Sequence, residues 1–506
     1  MLVCIFLNRE WLMKILKEWH NRNNVSEEDV NLETSKRISF CYKDNLVLPP
    51  EIGLLISLLE LEIVNCELKS LPEEIGNLNS LTSLNLYKNQ LKSLPEEIRG
   101  LESLEELILS NNQLESLPSG IGGLRSLKTL YLCHNRLRSL PSGIGGLRSL
   151  EVLYLSHNRL ESLPSDIQEI ESIFSEIEVE SAYSNIRDLV ALPPEIKFLD
   201  SLVKLDLSDN RLSSITEELG ELKSLENLDL SRNQLKSLPS AICGLKCLKE
   251  LKLSGTLLTS ITSNLCVQLQ GLTHLNLSYN KLVALPTEIG NLSSLEVLNL
   301  SKNMLETLPA SLGNLKLLKE LDLSQNELKS IPAEIGGLAS LNNLVLSNNI
   351  LETLTAAIGN LKLLKFLYLS NNKLAALPTV IVGLASLNKL DLYNNILETL
   401  PAAIGDLKLL KFLKLGVNKL AALPGQIWQI SSLRWLGLEN NPLKFIPAEI
   451  SNLVNLSKLV VSGGIKLPLS VGNLNKKMTI EIHRPGIIEW ARVEQCISKS
   501  EENKSL

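Results

Sequence analysis

Residues 81–101 read LTSLNLYKNQLKSLPEEIRGL, and this stretch decides the fold. Leu81, Leu84 and Leu86 come first, Asn89 and Leu91 follow, and the pair Leu94–Pro95 precedes Ile98 and Leu101. The same text recurs with its first Leu at 104, 127 and 150, a period of 23 residues. It resumes at Leu202, Leu225 and Leu248, then runs from Leu272 to Leu456 in steps of 23. A fixed period of this length marks stacked structural units rather than several separate domains. The alternating half of each unit predicts a short strand, with Leu inward and the intervening residues on an open face. Such strands stack in parallel about 4.8 Å apart. The Asn that recurs from Asn89 to Asn441 can serve the turn backbones of its own and neighbouring units, which otherwise lack partners. Cys66 and Thr256 stand in its place twice, small enough to fit but with fewer hydrogen bonds. Pro then fixes φ and opens a short helical turn on the outer side. Outer turns are wider than strands, so the expected architecture is an α/β solenoid: a horseshoe with a parallel concave sheet and short convex helical turns.

Working outward, the array is expected over residues 35–475, as about 18 units. That count takes Leu58 as the first clear unit and an irregular patch, residues 173–201, as one more. The patch has a spacing of 29 and a cluster of Glu; it reads as a degenerate unit with a surface loop, or as a hinge or partner-binding loop. Ile38, Phe40 and Leu48–Pro49 fit the register as a capping half-repeat. Terminal units need caps, because each exposes an apolar side. Residues 1–34 supply one as a helix and linker, since Leu2, Ile5, Trp11, Leu12, Ile15 and Trp19 form a stripe at helical spacing. A partner-binding or membrane-surface helix is the other reading of that stripe. Residues 476–506 supply the second cap and a tail, with a short helix expected over Ile487–Ile497.

Composition narrows the function classes. Leu alone supplies more than a fifth of the 506 residues, and aromatics only 4 %. The net charge of −6 lacks the basic surface that phosphate neutralisation requires, so nucleic acid is not an expected partner. No apolar run reaches the 18 or so residues of a membrane span, and no secretory signal is read in Met1–Leu7. The eight cysteines show no metal spacing and no terminal clusters, which predicts a cytoplasmic protein.

No catalytic constellation stands out, and the chain is not expected to be an enzyme or to carry a cofactor. Residues 122–129, GGLRSLKT, lack the second Gly before Lys that a phosphate-cradling loop needs. His134 and His157 hold equivalent positions in adjacent units but lack further ligands, so no metal site is expected. Cys243 and Cys247 are read as inert thiols, the first exposed and the second partly buried. Recognition is expected instead on the concave sheet. Tyr131 and Tyr154 mark its N-terminal half; Phe366, Tyr368, Tyr393, Phe412, Lys414 and Trp435 mark its C-terminal half. Aromatics on a rigid sheet bury much area at low entropy cost, which makes them binding anchors.

The text Leu71-Pro72-Glu73-Glu74-Ile75-Gly76-Asn77-Leu78 resembles the Ras-group leucine-rich repeats, among them the Shoc-type scaffolds and the plant intracellular Ras-group proteins. The resemblance covers almost the whole array. It implies a cytoplasmic, non-catalytic protein–protein scaffold in signalling, with a small GTPase or a phosphatase as partner. Lys36-Arg37-Ile38-Ser39-Phe40 has the form of the phosphatase-docking segment of Shoc-type scaffolds, although Ile38 and Phe40 coincide with inward positions. A secreted host-directed effector or a ligand-sensing module using the same concave face is the alternative.

Overall fold

The computed structural model describes residues 36–42, 45–161, 192–474, 478–484 and 487–492. They fall into two units, divided after Leu258. The N-terminal helix expected over residues 1–20 lies outside the described residues, as does most of the irregular patch.

Each repeat follows from its sequence. In the repeat begun by Leu81, the strand is Ser83–Asn85, and Leu81, Leu84, Leu86 and Leu91 are fully buried. Pro95 sits extended at φ −71° and ψ 152°, and the next five residues, Glu96–Gly100, form a 3-10 turn. That turn closes with Leu101 N–H donating to the Ile98 carbonyl at 3.1 Å, and Ile98 points into the core. Each buried Leu or Ile contributes roughly 1.5–3 kcal/mol on transfer from water. One unit alone cannot cover both sides of such a layer, so the core exists only in the stack.

In the N-terminal unit, strands from Arg37–Cys41 to Glu250–Lys252 pair parallel, each with the next. Most partners are 23 residues apart, as in Ser83↔Glu106, but Val152 pairs directly with Lys204. The irregular patch therefore adds no rung between those strands. Leu192–Pro193 precedes the outer turn described for the repeat begun by Leu150. Its turn, Pro194–Phe198, stacks on the preceding one, where a Cβ on Gly145 would lie 2.7 Å from the Glu195 carbonyl oxygen. Among the described residues, 17 strands, one per unit, run from the unit of Leu58 to that of Leu456. Ile38 and Phe40 are buried, and Arg37 Nε pairs with Glu60 at 2.6 Å, so the docking-like segment is the first strand of the sheet.

The C-terminal unit repeats the pattern from His274–Asn276 to Lys458–Ser462. Its first outer turn, Ser263–Gln268, is a six-residue α-helix where the others are five-residue 3-10 turns; it takes up the extra residue between Leu248 and Leu272. The cap differs from expectation. Thr479–Arg484 adds a parallel strand, and Ile487–Arg492 returns antiparallel to it as a strand, not a helix. An edge strand that is paired, rather than covered by a helix, still leaves the stack's own side satisfied.

The residue before each ladder position sits in the left-handed region, and at most repeats it is Asn, Lys, His or another unbranched residue. Val417 is the exception, at φ 55°. A β-branched residue is an outlier there and costs roughly 1–2 kcal/mol. Asn348, Asn371 and Asn394 hold equivalent places and link side chain to side chain at 2.9 and 2.8 Å. Val417→Asn should relieve the strain and extend that chain. We expect the urea midpoint to rise, by about 1 kcal/mol of stability; an unchanged or lower midpoint would show that the Val contacts outweigh its backbone.

Candidate binding face

The side of the strands opposite the leucines presents two patches, one in each unit. In the N-terminal unit Tyr131 and Tyr154 are register partners whose rings stack at 5.0 Å and 11°. Lys204 lies 4.9 Å above Tyr154, and its hydrogen bond to that hydroxyl raises its pKa. Burial pushes the Tyr131 phenol up as well. His134 and His157 stack at 4.2 Å, and Asp209 is 3.7 Å from His157. Among the described residues, no group of three or more His, Cys, Asp or Glu is placed to hold a metal ion.

In the C-terminal unit one row on successive strands reads Phe366, Lys389, Phe412, Trp435, Lys458. The next row, two residues on, reads Tyr368, Asp391, Lys414, Gly437, Val460. Phe366 and Phe412 are 39 % and 40 % exposed, and Tyr393, in a third row at the turns, is 37 % exposed. Lys389 lies 4.5 Å from the Tyr368 ring centre. Lys414 and Lys458 stand over Trp435 at 4.8 and 5.8 Å. The sequence-derived residues thus sit together on one face, Phe366 and Tyr368 on one strand and Phe412 and Lys414 two strands on.

Sequence reading missed the charges that lock this face. Lys414 pairs with buried Asp391 at 3.3 Å, and Lys458 with buried Glu481 at 2.7 Å. Burial opposes ionisation of Glu481, but the bonds from Lys458 and from His483 Nε2, the latter at 2.6 Å, hold its carboxyl below the usual range. Glu439 is the opposite case: it is 7 % exposed, and burial pushes its carboxyl up. The third row carries Ser278, Ser301, Ser324, Ser347 and Ser370, then breaks to Tyr393, Gly416 and Glu439. That break was the available signal.

The cysteine pair is also inverted from expectation: Cys243 is buried and Cys247 exposed. Cys243 follows the core residue Ile242 in its 3-10 turn and lies against the stack, whereas Cys247 lies beyond the turn.

This fold, a parallel sheet backed by 3-10 turns with an open polar and aromatic face, defines a class of repeat proteins that generally act in protein–protein interaction. The chain belongs to the leucine-rich-repeat family. A leucine-rich-repeat region matches residues 37–136 and 260–354, and a second leucine-rich-repeat pattern matches 116–173 and 200–258. The chain is 35 % identical to a leucine-rich-repeat protein of Leptospira interrogans, covering 87 % of this chain and 96 % of that one, with a TM-score of 0.67. YopM of Yersinia enterocolitica is 26 % identical over 88 % of this chain and 86 % of its own, with a TM-score of 0.57. The plant peptide hormone receptor RGFR1, solved in complex with RGF2, is 28 % identical over 90 % and 85 %, with a TM-score of 0.53. No curated protein matches the sequence. Among the described residues no helix is long and apolar enough to cross a membrane.

Proposed function

We propose that the chain is a non-catalytic scaffold of the cytoplasm that holds a protein partner on the open face of its C-terminal unit. The carrying observation is the row Phe366, Phe412 and Trp435 beside Tyr368, its lysines stacked on the rings or paired to carboxylates. Rings fixed in this way lose little entropy when a partner covers them. The resemblance of the repeats to the Ras group is what favours a signalling assembly around a small GTPase. A phosphatase is the other partner that resemblance implies, but buried Ile38 and Phe40 do not offer its docking segment. The likeness to a peptide hormone receptor in complex with its ligand favours a second reading, a ligand-sensing module using the same face.

The test is Tyr368→Ala combined with Trp435→Ala, with capture from the native cell and identification by mass spectrometry. A small GTPase should be captured by the natural protein and fall by about tenfold or more in the variant, with little change in melting temperature. Capture that survives both changes would place the binding face elsewhere, first at Tyr131 and Tyr154. A short secreted peptide in place of the GTPase would favour the sensing reading.

A further inference from the structure

Among the described residues of the C-terminal face, two buried polar atoms have no hydrogen-bond partner. Glu439 Oε2 accepts no hydrogen bond, and Trp435 Nε1 donates none. Buried groups of this kind are rare in folded proteins and mark strain or an absent partner. The carboxylate lies on a floor of two glycines. A Cβ on Gly416 would stand 2.3 Å from Glu439 Oε1, and one on Gly437 would stand 3.1 Å from Oε2. Both glycines hold positions that other repeats fill with side chains, among them Tyr393 and Lys414. The space left above the two glycines is thus a niche that the Glu439 carboxylate itself fills.

The neighbours decide what the niche takes. Asp391 has Lys414, and Glu481 has Lys458 and His483. Among the described residues Glu439 has no cation within ion-pair distance; Lys414 and His483 act on it only from farther off. An inorganic or carboxylate anion would meet that acid directly. A metal ion would have to take Asp391 or Glu481 from its lysine.

We propose that this niche seats a basic side chain, Lys or Arg, of a polypeptide partner on Glu439. The proposal rests on the reading of this face as the partner surface and gives that partner its chemistry. Arg suits the site best, because its planar fork can meet a carboxylate with two bonds.

The test uses the full chain and a displayed library of random hexapeptides. Selected peptides should share Lys or Arg at one fixed position. The affinity of one selected peptide should fall about tenfold or more on Glu439→Gln, and equally on replacing its basic residue by norleucine. The two changes together should cost no more than either alone. Burial already disfavours the charged Glu439, so folding at neutral pH works against its ionisation, and Glu439→Gln should melt no lower than the natural protein. Peptides without a shared basic residue, no selected peptides, or a basic preference unchanged by Glu439→Gln would each overturn the proposal. Loss on Trp435→Ala and Tyr368→Ala with none on Glu439→Gln would sink this inference and leave the face reading standing. Indifference to all three changes would sink both.

Discussion

Asn326→Ala should lower the stability of the C-terminal unit by about 3 kcal/mol, and the loss should appear first at one place in the stack. The Asn326 amide donates to the carbonyls of Leu300, Leu323 and Ser324 at 2.9, 3.0 and 3.3 Å. Its Oδ1 accepts from Leu305 N–H at 3.0 Å. Alanine leaves those groups buried and unpaired, at roughly 1–3 kcal/mol for each that finds no water. A solenoid is held by nearest neighbours, so amide exchange should quicken around residues 300–328, with Leu305 the most exposed to the change. Residues near Leu364 and beyond should keep their protection. Uniform loosening along the unit would show that the ladder is not a local tie. Natural replacements set the scale: Cys66 Sγ still donates to the Phe40 and Val64 carbonyls, both at 3.3 Å. Asn326→Cys should accordingly cost less than Asn326→Ala.

That ladder was legible because each of its parts has a period. Leu84, Leu86 and Leu91 repeat at positions whose burial physics allows few substitutes, and Asn89 repeats because it serves two turns at once. Where the physics is not periodic, the text misleads. Nothing in the text marks Leu192–Pro193 as the opening of an outer turn at this spacing, and the turn Pro194–Phe198 shows that it is one. Ile487–Arg492 has apolar residues that suit either a helix or a strand, and the free edge of Thr479–Arg484 selects the strand. The aromatic members of the binding face could be listed from alternation alone. Glu439 could not, because its meaning depends on Gly416 in the neighbouring repeat and on the lysines that pair with Asp391 and Glu481.

Gly313→Ala should be as damaging as the loss of a ladder Asn, by about 3 kcal/mol, although it adds a single methyl group. Gly313 lies in the 3-10 turn Ala310–Asn314, and a Cβ built there would stand 2.1 Å from the Glu334 carbonyl oxygen of the next turn and 2.7 Å from its carbon. Its backbone is not in the left-handed region, so conformational preference is not the cause; close approach is. The obstruction is backbone, which cannot rotate away as a side chain could. Relief requires the turn at Ala333–Gly337 to move outward, and that turn is tied to the sheet through Ile335 and Leu338 in the core. Arg99, Val382 and Trp428 hold the equivalent position in other repeats, so the demand comes from the local spacing of turns and not from the repeat formula. Gly425→Ala is the matched control, since nothing lies within 4 Å of a Cβ there. It should be neutral or raise stability by roughly 0.4–1 kcal/mol through the unfolded chain. Urea denaturation of both variants gives the comparison: equal midpoints would mean that neighbouring turns separate at little cost, and that the outer surface is looser than the sheet it backs.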